Sequence, residues 1–320
     1  MPILRGTAGQ RPLPDPAIAA IKTYRYLRLA MIALVVGLFA CVLYEHGKTP
    51  TGCWQLSLSA YYYTPVQGFF VAALVTIGVS LVALRGNTDW EDALLNLAGV
   101  CAPVVAFVPY PQPGTCGSVL TDTANRAANV DNNILGLLVA GGLGLVIVGV
   151  LAHRSALSDR PDRPGAVALL GFWTIAVLYL ATIAVYLYDR KLLLDHGHDV
   201  AAVAMFGFIF LNVWVNAAAL HRNHNATAPR SFWRNRYTVV GVLMAVAVVV
   251  NVVAHFAGFR WWVLTLETSM IVLFAWFWIA QTIELWNQGL RGGSSRQRAG
   301  TTDRDVPAGT SRPRRPLRPS

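Results

Sequence analysis

The residues of this sequence best suited to chemistry are histidines, carboxylates and serines that lie beside apolar stretches. The segment "DHGHD", residues 195–199, holds His196 and His198 between two aspartates, and a third imidazole, His255, ends a later apolar stretch. Imidazole is a common zinc ligand, and three histidines leave one coordination position open for an activated water. One hypothesis is therefore a zinc site built on these three histidines. The alternative for residues 195–199 is a solvated loop without metal.

Glu267, Ser57 and Ser59 are the candidate catalytic residues beside such a metal. Glu267 lies inside an apolar stretch, where a carboxylate is costly unless it faces other polar groups. Either Glu267 or Asp199 would act as a general base toward a metal-bound water. The two serines precede three tyrosines in "CWQLSLSAYYYTP", residues 53–65, which we call the tyrosine segment. Its simplest interpretation is an interfacial belt formed by its tryptophan and tyrosines.

Composition identifies the elements that must position these residues. Of the 320 residues, 55% are apolar and 13% are charged, whereas about 25% are charged in soluble domains. A hydrocarbon core of about 30 Å takes about 20 helical residues to cross, and apolar stretches long enough to do so occur eight times. We therefore predict an all-α bundle of eight transmembrane helices. The predicted spans are residues 27–44, 66–84, 93–110, 134–152, 166–188, 200–220, 239–257 and 262–285.

An even number of spans places both termini on one side of the membrane. That side carries 21 of the 26 lysines and arginines, counting Arg28 at the start of the first span. The positive-inside rule therefore predicts cytoplasmic termini. Residues 1–26 are then a cytoplasmic segment, residues 27–288 the membrane domain, and residues 289–320 a disordered basic tail with too few apolar residues to fold.

The net charge and the ratio of arginine to lysine indicate the partners and the location of the protein. Because topology accounts for the formal charge of +10, we expect membrane lipids as partners and no nucleic acid. Arginine outnumbers lysine 23 to 3, a bias typical of GC-rich bacterial genomes. The expected location is a bacterial cell membrane.

The four cysteines predict one disulfide. Cys53 and Cys116 fall in the two longest outward loops, and the other two lie within spans. Disulfides persist in an oxidising compartment. We predict a bridge between Cys53 and Cys116, and two free thiols are the alternative.

Small and polar residues inside the spans predict how the helices pack. Gly136, Ala140 and Gly144 recur every four residues in the fourth span, a spacing that lets another helix approach closely. Asn212 and Asn216 share one face of the sixth span and should point into the bundle.

Two further pairs have a structural interpretation. Thr88 and Glu91 have capping-box spacing at the start of the third span. His255 and Glu267 flank the short loop between the last two spans, which must be antiparallel neighbours. Contact between this pair would reduce the cost of burying the carboxylate.

Three stretches together resemble a family of uncharacterised multi-pass membrane proteins from actinobacteria. They are "SLSAYYYTP", "ALRGNTDWEDALLNLAGVCAPVVAFVP" and "ETSMIVLFAWFWIAQTIELW", and the resemblance covers most of residues 50–290. It implies the membrane fold and no activity.

A more distant similarity is to the superfamily of alkaline ceramidases and of progestin and adiponectin receptors. That resemblance implies a membrane-embedded metal site of one serine, one aspartate and three histidines, with Ser57 or Ser59 in the serine position. The last span of this chain lacks the paired H-x-x-x-H of that superfamily, and eight spans replace seven.

Three functions fit these patterns. The first is a non-catalytic envelope or membrane component with an outward polar cavity, because nothing in the sequence requires turnover. The second is a metal-dependent hydrolase acting on lipid-borne substrates at the outer leaflet. The partner expected at the outer face is a lipid-borne or small-molecule ligand. The third is a small-solute or proton-coupled transporter, based on Glu267 and Glu284 near opposite ends of the last span. The sequence has no Walker loop, dinucleotide fingerprint, CxxC, HExxH or GxSxG, which argues against nucleotide-driven and redox chemistry.

Overall fold

The computed structural model describes residues 16–49, 52–111, 116, 126–157, 165–224 and 232–286. Across these ranges the chain is all-helical and has no β-strand. The predicted basic tail, residues 289–320, lies outside them. The α-helices are α1 (Pro16–Lys48), α2 (Gln67–Ala83), α3 (Asp89–Phe107), α4 (Arg126–Leu157), α5 (Ala166–Tyr188), α6 (Arg190–His224), α7 (Arg236–Phe256) and α8 (Trp262–Glu284). Two short 3₁₀ helices, Ser59–Tyr63 and Phe232–Arg234, precede α2 and α7.

Length and composition make this a multi-pass membrane fold. Seven of the described helices are long and apolar enough to cross a bilayer, and α2, with 17 residues, is shorter. Spans of about 17–25 residues cross a hydrocarbon core of about 30 Å. The prediction of a polytopic helix bundle is confirmed at this level.

Several helices extend beyond the apolar stretches that predicted them. α1 begins at Pro16, within the segment predicted as a separate cytoplasmic region, and α4 spans Arg126–Leu157. α6 begins at Arg190, so residues 195–199 are helical and the prediction of a loop there is wrong. Hydropathy marks only the part of a helix that faces lipid or core, whereas polar turns continue the same backbone hydrogen bonds at either end.

α3 is the central helix, and it packs most extensively against α6 and α2. Gly78 of α2 faces Gly99 of α3, where an added Cβ on either glycine would lie 2.7 Å from the other's carbonyl oxygen. The two backbones therefore meet directly. Gly136 and Gly144 have nothing within 4 Å of an added Cβ, so the predicted packing stripe of α4 contacts no other described helix there.

The two ends of the bundle are distinguished by their contacts. Near the start of α1, the Arg25 guanidinium donates to the Trp286 carbonyl at 2.5 Å and lies over the Trp286 ring, which follows α8. We call this end the terminal side. The opposite end holds the Cys53–Cys116 disulfide and is called the disulfide side.

Candidate functional site

The tyrosine segment is fixed at its beginning by three contacts on the disulfide side. Cys53 and Cys116 form a disulfide with their Cα atoms 5.8 Å apart, which confirms the predicted bridge. The Gln55 side-chain amide donates to the Cys116 carbonyl at 2.5 Å. His46 of α1 stacks on Trp54 with ring centroids 3.7 Å apart. The segment is therefore tied to both α1 and the chain that follows α3.

The middle of the segment folds into the first 3₁₀ helix. The Ser57 hydroxyl accepts a hydrogen bond from the Ala60 backbone N–H at 2.9 Å, which stabilises the start of that turn. Tyr61, Tyr62 and Tyr63 are 1%, 5% and 1% exposed. The interpretation of these tyrosines as an interfacial belt is wrong, because all three side chains are buried inside the protein.

Glu267 of α8 holds the same segment by accepting hydrogen bonds from it. Its Oε2 accepts from the Leu58 N–H at 2.5 Å and from the Ser59 N–H at 3.3 Å, and its Oε1 accepts from the Ser59 hydroxyl at 2.9 Å. The Leu264 N–H also donates to the Leu56 carbonyl at 3.1 Å. Two of the candidate catalytic residues, Ser59 and Glu267, thus converge, and Ser57 supports the turn beside them.

The three candidate metal ligands do not converge. His196 is exposed, whereas His198 is buried with its Nδ1 2.7 Å from the Val108 carbonyl oxygen. Residues two positions apart in an α-helix are rotated by about 200° around its axis. His196 and His198 therefore lie on opposite faces of α6. His255 is exposed and lies against Trp262, with ring centroids 4.5 Å apart.

The predicted zinc site is therefore not formed by His196, His198 and His255. In the part of the chain that the structure describes, no three histidine, cysteine or acidic side chains group closely enough to hold a metal ion. The expected contact between His255 and Glu267 is replaced by the hydrogen bonds of Glu267 to the tyrosine segment.

Tyr110, which the sequence patterns did not mark, lies among the polar groups of the disulfide side. Its carbonyl accepts from the Tyr63 hydroxyl at 2.7 Å, and its ring lies edge-on to His198 with centroids 5.8 Å apart. Burial raises the pKa of the Tyr110 phenol above its usual 10.0, and the charges of Asp199 and Glu267 raise it further. Tyr110 follows α3 without a motif, so only the fold reveals this position.

A second polar cluster lies on the terminal side, around Glu91 of α3. Its Oε2 accepts from the Asn87 N–H and side-chain amide at 2.7 and 2.9 Å, and its Oε1 accepts from Gln281 at 2.8 Å. The Gln281 amide also reaches Asn216 of α6 at 3.2 Å. The predicted Thr88 cap is present, since the Glu91 N–H donates to its hydroxyl at 3.1 Å. Capping spacing did not reveal that the carboxylate would be buried and bonded to α8.

Glu284 at the end of α8 is also paired. Arg236 forms an ion pair with it at 3.1 Å, and the Tyr237 hydroxyl donates to the same oxygen. Both partners begin α7. α7 and α8 are therefore joined by charge at the terminal side.

Comparison of the chain with protein-family models, with curated proteins and with solved structures finds no match.

Proposed function

We propose that this protein is a non-catalytic component of a bacterial cell membrane, with eight spans and both termini in the cytoplasm. The observation that supports the proposal is the position of Glu267. Three donors from the tyrosine segment occupy both of its carboxylate oxygens. The side chains that the sequence favours for catalysis therefore hold this segment on α8.

The eighth span would be α2. Its 17 residues measure about 26 Å at about 1.5 Å per residue, slightly less than the hydrocarbon core of about 30 Å. A bilayer thins around a short helix at modest cost. Arg25 near the start of α1 contacts Trp286 just after α8. The first and last helices therefore have these ends on the same side, as an even number of spans requires. The side rich in lysine and arginine would be cytoplasmic.

The arrangement favours this role over a metal-dependent hydrolase. Such an enzyme needs several ligands around one metal and an open coordination position, and the candidate histidines point to different surroundings. In a Ser-His-Asp triad the nucleophilic serine donates its proton to an imidazole, whereas the Ser59 hydroxyl donates to the Glu267 carboxylate.

Full-length protein in lipid nanodiscs tests the proposal. Phospholipid, glycolipid and sphingolipid substrates, with and without added zinc, should yield no hydrolysis product above protein-free discs by mass spectrometry. Glu267→Gln should lower the unfolding free energy by about 1–3 kcal/mol, because its amide nitrogen would face N–H donors. Thr268→Ala is the matched control and should stay near wild type. Product formation that Glu267→Gln abolishes would overturn the proposal.

A second candidate function, a proton-coupled transporter, is favoured by the environment of Glu91. This carboxylate is 2% exposed and hydrogen-bonds to Gln281 of α8, and ionisable groups inside membrane bundles often mark proton or ion paths. Proteoliposomes that carry a pH-sensitive dye would test it. Transport predicts a proton flux that Glu91→Gln abolishes and that Asp89→Asn, an exposed acid on the same turn, retains. Equal leak in all three proteins would exclude this candidate.

A further inference from the structure

A cavity of about 540 Å³ lies between α1 and α8 at the disulfide side, beside the tyrosine segment and the loop that joins α7 to α8. Its volume falls in the range of about 300–1,000 Å³ typical of ligand sites. Leu43 on one wall and Val272 on the other are 58% and 48% exposed. The cavity therefore opens sideways, away from the bundle.

The depth of the cavity matches one leaflet of a bilayer. Trp54 and Trp261 line the end of the cavity nearest the disulfide side, and tryptophan is enriched at the membrane interface. Val272 lines the end of the cavity farthest from the disulfide side, and it lies ten residues beyond Trp262, the first residue of α8. Ten helical residues rise about 15 Å, which is about half of a hydrocarbon core of about 30 Å. The cavity thus runs from the interface to near the middle of the bilayer.

The walls of the cavity are apolar toward the opening. Short side chains of α8, among them Thr265 and Ser269, create the hollow opposite Phe39 and Val42 of α1. The Ser269 hydroxyl donates to the Thr265 carbonyl at 2.6 Å, and the Thr265 hydroxyl donates to Asn251. Because these hydroxyls are already bonded within the protein, an apolar chain can lie against them without leaving a polar group unpaired.

Two basic residues adjoin the elements that line the cavity at its disulfide-side end. Arg260 precedes the lining residue Trp261, and its guanidinium carbon lies 5.9 Å from the centre of that ring. Lys48 ends α1, the helix that forms the opposite wall. None of the described side chains that line the cavity is acidic. Lysine and arginine at a membrane surface attract anionic lipid headgroups.

From this depth, lining and charge, we propose that the cavity binds one acyl chain of an anionic phospholipid from the leaflet of the disulfide side. The headgroup lies at Arg260, and the chain lies between α1 and α8 down to Val272. The site makes the protein a lipid-binding one whether or not it has a catalytic activity.

Native mass spectrometry of delipidated full-length protein, titrated with phosphatidylglycerol, tests the proposal. Wild type should retain one tightly bound lipid. Thr268→Phe fills the cavity and should weaken that binding at least about tenfold. Ile283→Phe adds the same ring to a lipid-exposed position of α8 outside the cavity, and it should bind as wild type does. Retention of the lipid by folded Thr268→Phe would overturn the proposal.

Headgroup charge provides a second readout that leaves the cavity intact. Wild type should prefer phosphatidylglycerol to phosphatidylcholine, and Arg260→Glu should lose that preference. Lys191→Glu reverses an exposed charge on α6, away from the cavity, and should keep it. Equal preference in both variants would overturn the position assigned to the headgroup. A wild-type dimer that Thr268→Phe dissociates would instead identify a second copy of the chain as the occupant.

Discussion

The Gln281 side-chain amide donates a hydrogen bond of 2.8 Å to the Glu91 carboxylate, 190 positions earlier in the chain. The two side chains are only 1% and 2% exposed, and they join α8 to α3 on the terminal side. A buried carboxylate oxygen that loses its donor costs more than the hydrogen bond itself gains. This hydrogen bond should therefore contribute to the stability of the bundle by linking α8, which packs mainly against α7 and α1, to the central helix.

Gln281→Leu should destabilise the protein by about 1–3 kcal/mol, because it leaves an oxygen of Glu91 without its donor. The thermal midpoint in detergent, followed by tryptophan fluorescence, measures the loss. Thr282→Ala is the matched control, since this neighbouring side chain is buried but its hydroxyl returns to the Trp278 carbonyl of its own helix at 2.6 Å. It should cost less than Gln281→Leu.

A double-mutant cycle separates the pair from general packing. If Gln281 acts through Glu91, adding Glu91→Leu to Gln281→Leu should cost less than the sum of the two single changes. Additive losses would contradict the assigned role of this hydrogen bond.

The contact between α2 and α3 should tolerate no side chain at its closest point. Gly99→Ala places a Cβ 2.7 Å from the Gly78 carbonyl oxygen, and Gly78→Ala does the same toward Gly99. Either change must push the two helices apart, at about 1–3 kcal/mol. Thermal unfolding midpoints of the purified variants should fall accordingly.

Gly136→Ala is the control for this prediction. A Cβ at this position of α4 has nothing within 4 Å, and alanine favours helix by about 1 kcal/mol over glycine. Its midpoint should equal or exceed that of wild type. A loss as large as that of Gly99→Ala would contradict the prediction, because it would show that the close approach of α2 and α3 is not what makes a glycine substitution costly.

Membrane physics explains which features the sequence could predict. Apolar length predicted the helices, and the spacing of Asn212 and Asn216 predicted an inward face, which is confirmed because both side chains are buried. The disulfide followed from the position of the two cysteines in loops that the charge distribution predicts to face outward. Each of these depends on a local pattern or on the side of the membrane.

The site depended on tertiary geometry that local patterns do not encode. His196 and His198 were predicted in one loop, but polar turns extend α6 through them and send their rings apart. The approach of Ser59 to Glu267 spans 208 positions and requires the tyrosine segment to fold over the start of α8. Thr88 and Glu91 have capping-box spacing whether the Glu91 carboxylate faces water or the bundle. The capping pattern alone therefore could not predict that this carboxylate is buried.

The alkaline titration of Tyr110 should report the charges on the disulfide side. Burial, followed by the charges of Asp199 and Glu267, raises the pKa of this phenol above 10.0 in the folded protein. A raised folded pKa favours the neutral phenol, so its contribution to stability is complete below the unfolded pKa and is lost as the pH rises through the folded pKa. Tyr110→Phe should therefore lose less stability than wild type as the pH rises above about 10.

Phenolate absorbance isolates this group when the titration of Tyr110→Phe is subtracted from that of the parent protein. The midpoint of the difference should lie above 10.0, and it should fall when Asp199→Asn is introduced into both proteins, because one of the charges that raises the pKa is removed. Asp195→Asn, one helical turn earlier on α6, is the control and should leave the midpoint unchanged. Equal shifts from the two aspartate substitutions would show that the net charge of α6, and not the position of Asp199, sets the pKa of Tyr110.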